Sequence, residues 1–318
     1  MDLSIIVVAY NVKDLVKKCL TRIRNSEDKL KKEIIFVDNA SSDGTAEMIK
    51  IDFPEVVLVE STKNLGFIRA NNLAYEKVKG KFILLLNSDA FIEEDTLQKT
   101  INFMKTNQRC GVLGCRLVDI NGNLQPSARY FPTPWRIFLS YSGIGYKFPD
   151  IPFLRGIDNM KWNHRSVREI DWVPGCYFLI RRDAIDEIGF LEKDYFLYYD
   201  DCDFCLRAKR KGWKVLFYPE TEVIHLGGAT LKRMNEVTSK GGQNEKFRLR
   251  SEFIYFRKHY GILYTLLDFF FIIALDYMEI LERLLIQKKH FRTSDKLKHI
   301  RMAYDNLVVT RFGERPVD

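Results

Sequence analysis

Four unbroken apolar runs, at 4–9, 33–37, 56–60 and 81–86, constrain this chain more than any other feature. Half-buried strands alternate apolar and polar residues. Runs that do not alternate are covered on both faces, which is the habit of parallel sheets flanked by crossover helices. Helical spacing fills the intervals, with Leu15, Cys19 and Leu20 apolar across 11–24 and further helices expected over 45–50, 70–79 and 95–106. This β-α alternation argues an α/β fold, whose ligands bind beyond the carboxyl ends of the strands. Polar loops stand at those ends: Tyr10-Asn11, 38–45 and 87–89.

Beyond residue 110 the pattern loosens. The stretch 127–158 is rich in aromatics, Pro and Gly and reads as a mobile loop region. A second ordered block holds a strand over 172–181, helices over 182–188 and 201–211, and a strand over 214–218 leading to His225. Residues 226–250 are polar, basic and Gly-containing, and from Asn244 the chain looks helical to near its end. The expected domains are therefore 1–243 and 244–318. No signal peptide is visible: the first apolar run is short and bounded by Asp2 and Tyr10-Asn11, so it reads as a buried strand in a cytoplasmic protein.

A formal charge of +8 fits an anionic partner such as a nucleotide, a phospholipid surface or a nucleic acid, and selects none of them. The six cysteines are dispersed and make no disulfide framework. Cys202-Asp-Phe-Cys205 has no second pair or His cluster beside it and reads as buried small hydrophobes at a helix start.

The stretch 262–287 looks at first like a membrane span. At 100° per residue, however, Asp268, Asp276, Glu279 and Glu282 fall on one side of a helix. A helix with that stripe does not cross a bilayer alone. It reads as amphipathic, packed on its own core, on a partner subunit in a homodimer, or at a membrane surface as a peripheral contact. Lys288, Lys289, His290, Arg292, Lys296, Lys298, His299 and Arg301 follow it and could face anionic lipid.

Acids at element ends carry the candidate chemistry. Asp38 ends the second strand and leads into Asn-Ala-Ser-Ser-Asp-Gly-Thr45, where a carboxylate can accept from a base N–H or ribose hydroxyls; the same residues also make a good turn and helix start. Asn87-Ser88-Asp89 ends the fourth strand, where a carboxylate can hold a hard divalent cation bridging to phosphates, or simply begin a turn. Asp200 and Asp201 open a helix whose dipole favours anions and should keep their pKa low, while Asp203 and Arg207 are spaced to form a structural i, i+4 pair. An ionised carboxylate there can act as a general base. His225 joins the chemistry only if the fold carries it to Asp89.

The order of these segments is more specific than any one of them. Ser-Ile-Ile-Val-Val-Ala9-Tyr10-Asn11 comes first, then Val-Asp38-Asn-Ala-Ser-Ser-Asp-Gly-Thr, Asn64-Leu-Gly-Phe-Ile-Arg69-Ala-Asn71-Asn, Leu-Asn-Ser-Asp89, Pro174-Gly-Cys-Tyr-Phe-Leu-Ile-Arg-Arg, Tyr-Asp-Asp201-Cys-Asp-Phe-Cys-Leu-Arg, and Val-Ile-His225-Leu-Gly-Gly. This set resembles the family-2 glycosyltransferases, in particular the rhamnosyltransferase-like branch, over about residues 3–260. The resemblance implies a GT-A fold: a Rossmann-like α/β domain with a mostly parallel sheet flanked by helices, here with a C-terminal helical extension. It implies that Asp38 holds a uracil or thymine base beside the Ala9-Tyr10-Asn11 loop, with Arg69, Asn71 and Ser88 lining the nucleotide. Asp89 would bind Mg²⁺ or Mn²⁺ on the donor diphosphate, His225 would complete that site, and Trp172 and Gly175 would border sugar and acceptor. Asp201 matches the base of the family's Glu-Asp motif. Two positions depart from the pattern: Asn87 replaces the first metal-motif acid, so metal binding rests on fewer carboxylates, and Asp200 replaces the Glu, which leaves the division of roles between Asp200 and Asp201 open.

The reaction so implied is inverting sugar transfer from a UDP- or dTDP-sugar, rhamnose first, to a hydroxyl of a glycan or lipid-diphosphate-linked acceptor in cell-surface polysaccharide synthesis. Lys232, Arg233, Lys240, Lys246, Arg248 and Arg250 would form a lid over the diphosphate. Aromatics at 130–153 and 195–199 would stack sugars at the acceptor site. A dinucleotide dehydrogenase is disfavoured because no G-x-G-x-x-G follows the first strand, and a P-loop enzyme because no G-x-x-x-x-G-K-[ST] exists. A sugar-nucleotide pyrophosphorylase would open with a Gly-rich loop where Tyr10-Asn11 stands. A non-enzymatic nucleic-acid or membrane-surface binder would explain the charge but not acids at three element ends, so no nucleic-acid partner is expected.

Overall fold

The computed structural model describes residues 1–159, 161–227, 243–286 and 293–316. The chain divides into two compact units, one of residues 1–129, 163–193 and 200–232, the other of 130–162, 194–199 and 233–318.

The first unit is built on nine strands: β1 (Leu3–Ala9), β2 (Lys32–Asp38), β3 (Val57–Glu60), β4 (Phe82–Asn87), β5 (Ala90–Ile92), β6 (Cys110–Val118), β7 (Arg168–Glu169), β8 (Tyr177–Arg181) and β9 (Lys214–His225). Their order is β3-β2-β1-β4-β8-β6-β9-β5, with β7 paired to β9. The unbroken apolar runs are the parallel strands β1, β2, β3 and β4. Ile83, Leu84, Leu85 and Leu86 are almost wholly buried, because helices cover both faces. Each such side chain contributes about 1.5–3 kcal/mol. The helices are α1 (Lys13–Arg24), α2 (Thr45–Asp52), α3 (Gly66–Tyr75), α4 (Thr96–Thr106), α7 (Arg182–Ile188) and α8 (Asp200–Arg210). Helix α3 begins at Gly66, so Arg69 and Asn71 stand on a helix rather than in the expected loop. The expected strand over 172–181 narrows to β8. All six cysteines are buried free thiols, including the 202/205 pair.

The second unit is helical, with α5 (Pro134–Tyr141), α6 (Ile144–Lys147), α9 (Gln243–Tyr260), α10 (Ile262–Ile286) and α11 (Thr293–Val309). The stretch expected as a mobile loop thus carries α5, capped by the Thr133 hydroxyl accepting from Arg136 N–H, followed by α6 and a short 3-10 turn at Pro152–Leu154. Two of its aromatics, Trp135 and Phe138, lie against Phe271 of α10, while Tyr146, Phe148 and Phe153 are exposed; in the 195–199 stretch Phe196 stacks on Phe247. Leu249, Phe253, Ile272, Ala303 and Leu307 form the core between α9, α10 and α11.

Helix α10 buries part of its acidic stripe. Thr265, Asp268 and Asp276 are buried, whereas Leu263, Phe270, Tyr277, Leu281 and Leu285 are exposed. Asp276 meets cations from the helix that follows: Lys296 reaches Asp276 at 3.0 Å and Glu279 at 2.9 Å, and His299 bridges Asp276 at 2.6 Å and Glu245 at 3.2 Å. Arg248 pairs with Glu245 and Glu252, and Arg250 donates to Asn306. Arg248 and Arg250 are therefore committed to helix packing and do not serve as lid cations. Lys232, Arg233 and Lys240 lie outside the described residues, as do Lys288, Lys289, His290 and Arg292. No described helix is long and apolar enough to cross a membrane.

Candidate active site

Strand direction gathers the chemistry at one sheet edge. β2, β1 and β4 are parallel neighbours, so Asp38, Ala9 and Asn87 finish side by side. β8 runs antiparallel to β4 and so starts at that edge, just after Gly175 and Cys176. β6 is antiparallel to β8 and β9 parallel to β6, which carries His225 to the same edge.

At the β1 and β2 ends the backbone is shaped by side-chain bonds. Asn11 takes a left-handed φ of 54°; its N–H donates to the Ser41 hydroxyl at 3.0 Å, and its side-chain oxygen accepts from Ser42 N–H at 2.7 Å. Tyr10 is half-buried beside it. Asp38 is buried, accepting from Ser41 N–H at 3.3 Å. Arg69 is half-buried. Asn71 is buried and donates to the Phe67 carbonyl at 2.8 Å, which is helical back-bonding within α3.

Ser88 and Asp89 are buried in the turn between β4 and β5. β5 pairs antiparallel with β9, placing Ala90 opposite His225. His225 Nε2 then stands 3.6 Å from Asp89 Oδ1. That is too long for a hydrogen bond. It fits two groups sharing a cation, since donors each about 2.1 Å from one ion stand roughly 3–3.6 Å apart. Burial holds His225 below the usual imidazole range against the opposing pull of Asp89, which favours the neutral, ligating form. Among the described residues no three such side chains gather. Asp89 and His225 could supply two ligands to a cation, leaving its other positions to further oxygens such as those of a diphosphate. Gln125, which no sequence pattern singled out, holds the far side of the imidazole at 3.0 Å.

Asp200 and Asp201 open α8. The Gly175 N–H donates to Asp201 Oδ2 at 2.9 Å, and the Cys202 N–H to Oδ1 at 2.8 Å. The helix-dipole expectation of a low pKa is overturned. Burial raises Asp201 above the usual carboxylate range, against those two amides and the Arg129 charge. Asp200 is raised further, by burial first and then by the Asp201 charge. Desolvation outweighs a dipole worth about 0.3–1 kcal/mol.

A sequence model for the family described as Glycosyl transferase family 2 matches residues 4–189. The chain belongs to this family. Among curated relatives, the N-acetylglucosaminyl-diphospho-decaprenol L-rhamnosyltransferase of Mycobacterium tuberculosis is 27% identical over 203 residues, 60% of this chain and 66% of that one, so just under two thirds of its length is spanned. Rhamnosyltransferase WbbL of Escherichia coli is 27% identical over 232 residues, 70% of this chain and 82% of the relative. Among solved structures, the mannosyltransferase PcManGT from Pyrobaculum calidifontis, in complex with GDP-Man and Mn²⁺, aligns with a TM-score of 0.57 at 17% identity, covering 96% of this chain and 86% of that one. The fold is GT-A, as the motif order implied.

Within this family-2 chain, the two residues expected to border sugar and acceptor have protein partners as well. Trp172 is buried, exchanges backbone bonds with Arg129, and carries the Arg129 guanidinium over its ring at 5.0 Å. Gly175 anchors Asp201 through its amide. Arg129, absent from the sequence expectations, therefore joins the surroundings of the acid. Asp203 forms the expected pair with Arg207, at 2.6 Å.

Proposed function

We propose that this chain is an inverting, metal-dependent glycosyltransferase that moves a sugar from a UDP- or dTDP-sugar to a hydroxyl of a glycan or lipid-diphosphate-linked acceptor. The donor proposed first is dTDP-rhamnose. The observation that carries this reading is the meeting of Asp89 and His225 at the sheet edge that also presents amide-held Asp201. Asp38, with Ala9, Tyr10 and Asn11, takes the base, and Arg69, Asn71 and Ser88 line the rest of the nucleotide. Mg²⁺ or Mn²⁺ held by Asp89 and His225 would neutralise charge on the departing diphosphate.

Asp201 accepts the acceptor hydroxyl proton as that oxygen attacks the anomeric carbon. Its Gly175 and Cys202 amides fix the carboxylate's direction, and burial makes it a stronger base than an exposed aspartate. Asp200, raised further by burial and the Asp201 charge, is assigned a supporting role. Trp172 and Gly175 border sugar and acceptor through Arg129 and Asp201. The domain reading keeps 1–243 as the donor-binding and catalytic part and 244–318 as the helical part. The outward apolar stripe of α10 supports a peripheral place on the inner face of the cell membrane.

Isothermal calorimetry against UDP- and dTDP-sugars with and without Mn²⁺ tests this reading. Binding strengthened by Mn²⁺ is expected; binding of RNA with no nucleotide sugar bound contradicts it.

A further inference from the structure

We infer that Gln125 is the positioning residue that sets the tautomer and aim of His225. The side-chain amide of Gln125 makes two bonds to one residue: Nε2 donates to the His225 carbonyl at 2.8 Å, and Oε1 stands 3.0 Å from His225 Nδ1. A carbonyl oxygen can only accept, so the amide nitrogen must face it; the flipped amide would set two acceptors 2.8 Å apart. Oε1 therefore faces the ring, and Oε1 too can only accept. Nδ1 must carry the proton. In the neutral ring this leaves the lone pair on Nε2, the nitrogen turned towards Asp89.

Gln125 is itself held. Its N–H donates to the Leu117 carbonyl at 2.9 Å, and its own carbonyl accepts from the Ser127 hydroxyl at 3.2 Å. Leu226 N–H donates to the Asp89 carbonyl at 3.1 Å, closing the frame on the other side of the histidine. Partners of this kind fix ligand orientation and are worth about 10–100-fold in metal affinity. The inference rests on the proposed metal-dependent reading but adds a residue that neither the sequence motifs nor that reading contains.

The test measures Mn²⁺ binding to the full chain by electron paramagnetic resonance, in the presence of UDP, beside long-range ¹H–¹⁵N NMR of the metal-free imidazole. The expected spectrum is the Nδ1–H tautomer of His225 in the native chain, with Nε2–H gaining population in Gln125→Leu. Gln125→Leu should weaken Mn²⁺ about 10–100-fold. Gln125→Glu, whose carboxylate still accepts from Nδ1–H but sets an acceptor against the His225 carbonyl, should restore the Nδ1–H tautomer and recover only part of the Mn²⁺ affinity. In a His225→Ala background, Gln125→Leu should change nothing further. An Nε2–H tautomer in the native chain, or native Mn²⁺ affinity in Gln125→Leu where His225→Ala loses it, overturns the inference alone. Equal Mn²⁺ binding by native, Asp89→Asn and His225→Ala chains overturns the metal site itself, and the inference with it.

Discussion

In the proposed mechanism Asp201 is the residue on which the chemistry turns, and its surroundings set a pH signature. The carboxyl must be ionised to accept a proton, and burial lifts its pKa above the usual range. The acid limb of kcat/KM should therefore have its midpoint above the ordinary aspartate value of about 3.9. The Arg129 charge opposes the lift, so Arg129→Gln should move that midpoint upward. A pH–rate profile of the two proteins checks both statements; a midpoint unmoved or lowered in Arg129→Gln contradicts the arrangement. Asp201 was visible in the sequence as an acid at a helix start. Its basicity was not, because desolvation depends on what packs over the helix end.

Among the elements, β1, β2 and β4 were legible because burial on both faces leaves a mark on nearly every residue, whereas edge strand β3 is apolar without being buried. β5 was not, being three residues long and specified by pairing with β9. Helix α5 was hidden by the Pro and aromatic content of its stretch, although Thr133-Pro134 is a good helix start. The acidic stripe of α10 was read correctly and its direction was not. Its partners Lys296 and His299 lie on another helix, and no local pattern says which face turns inward. This network has a pH consequence. Hydrogen bonds to Asp276 and Glu245 raise His299 to about 9, against the lowering effect of burial. A raised histidine stabilises the fold fully below its unfolded pKa of about 6.5, and that contribution is lost as pH rises through about 9. The loss is on the order of 2–3 kcal/mol. Denaturant unfolding at pH 6 and 9.5 should show this decline in the native chain and a smaller one in His299→Gln; equal declines would show that the histidine is not the titrating group.

For the whole molecule, the charge that first suggested an anionic partner is now divided. Arg248, Lys296 and His299 neutralise buried acids within the helical unit. Beside exposed Glu282, α10 turns Leu263, Phe270, Tyr277, Leu281 and Leu285 outward, a large apolar surface for a helix in water. Flotation with vesicles of phosphatidylcholine and phosphatidylglycerol is expected to carry the native chain upward, and Phe270→Glu with Leu281→Glu to abolish this while donor binding persists. A chain that stays unbound and runs as a dimer would assign the stripe to a second copy. The GT-A fold itself was legible from motif order, because strand ends and loop acids recur in a fixed sequence. The donor sugar was not, since few side chains touch it and one fold serves many sugars.

The most direct measurement of the central claim is release of nucleoside diphosphate from a panel of UDP- and dTDP-sugars with Mn²⁺, in the presence of a lipid-diphosphate-linked glycan acceptor, by the native chain and by Asp201→Asn. The account predicts acceptor-dependent release from at least one donor, reduced roughly 10²–10⁴-fold in Asp201→Asn with donor affinity unchanged. Release at the native rate in Asp201→Asn would contradict it.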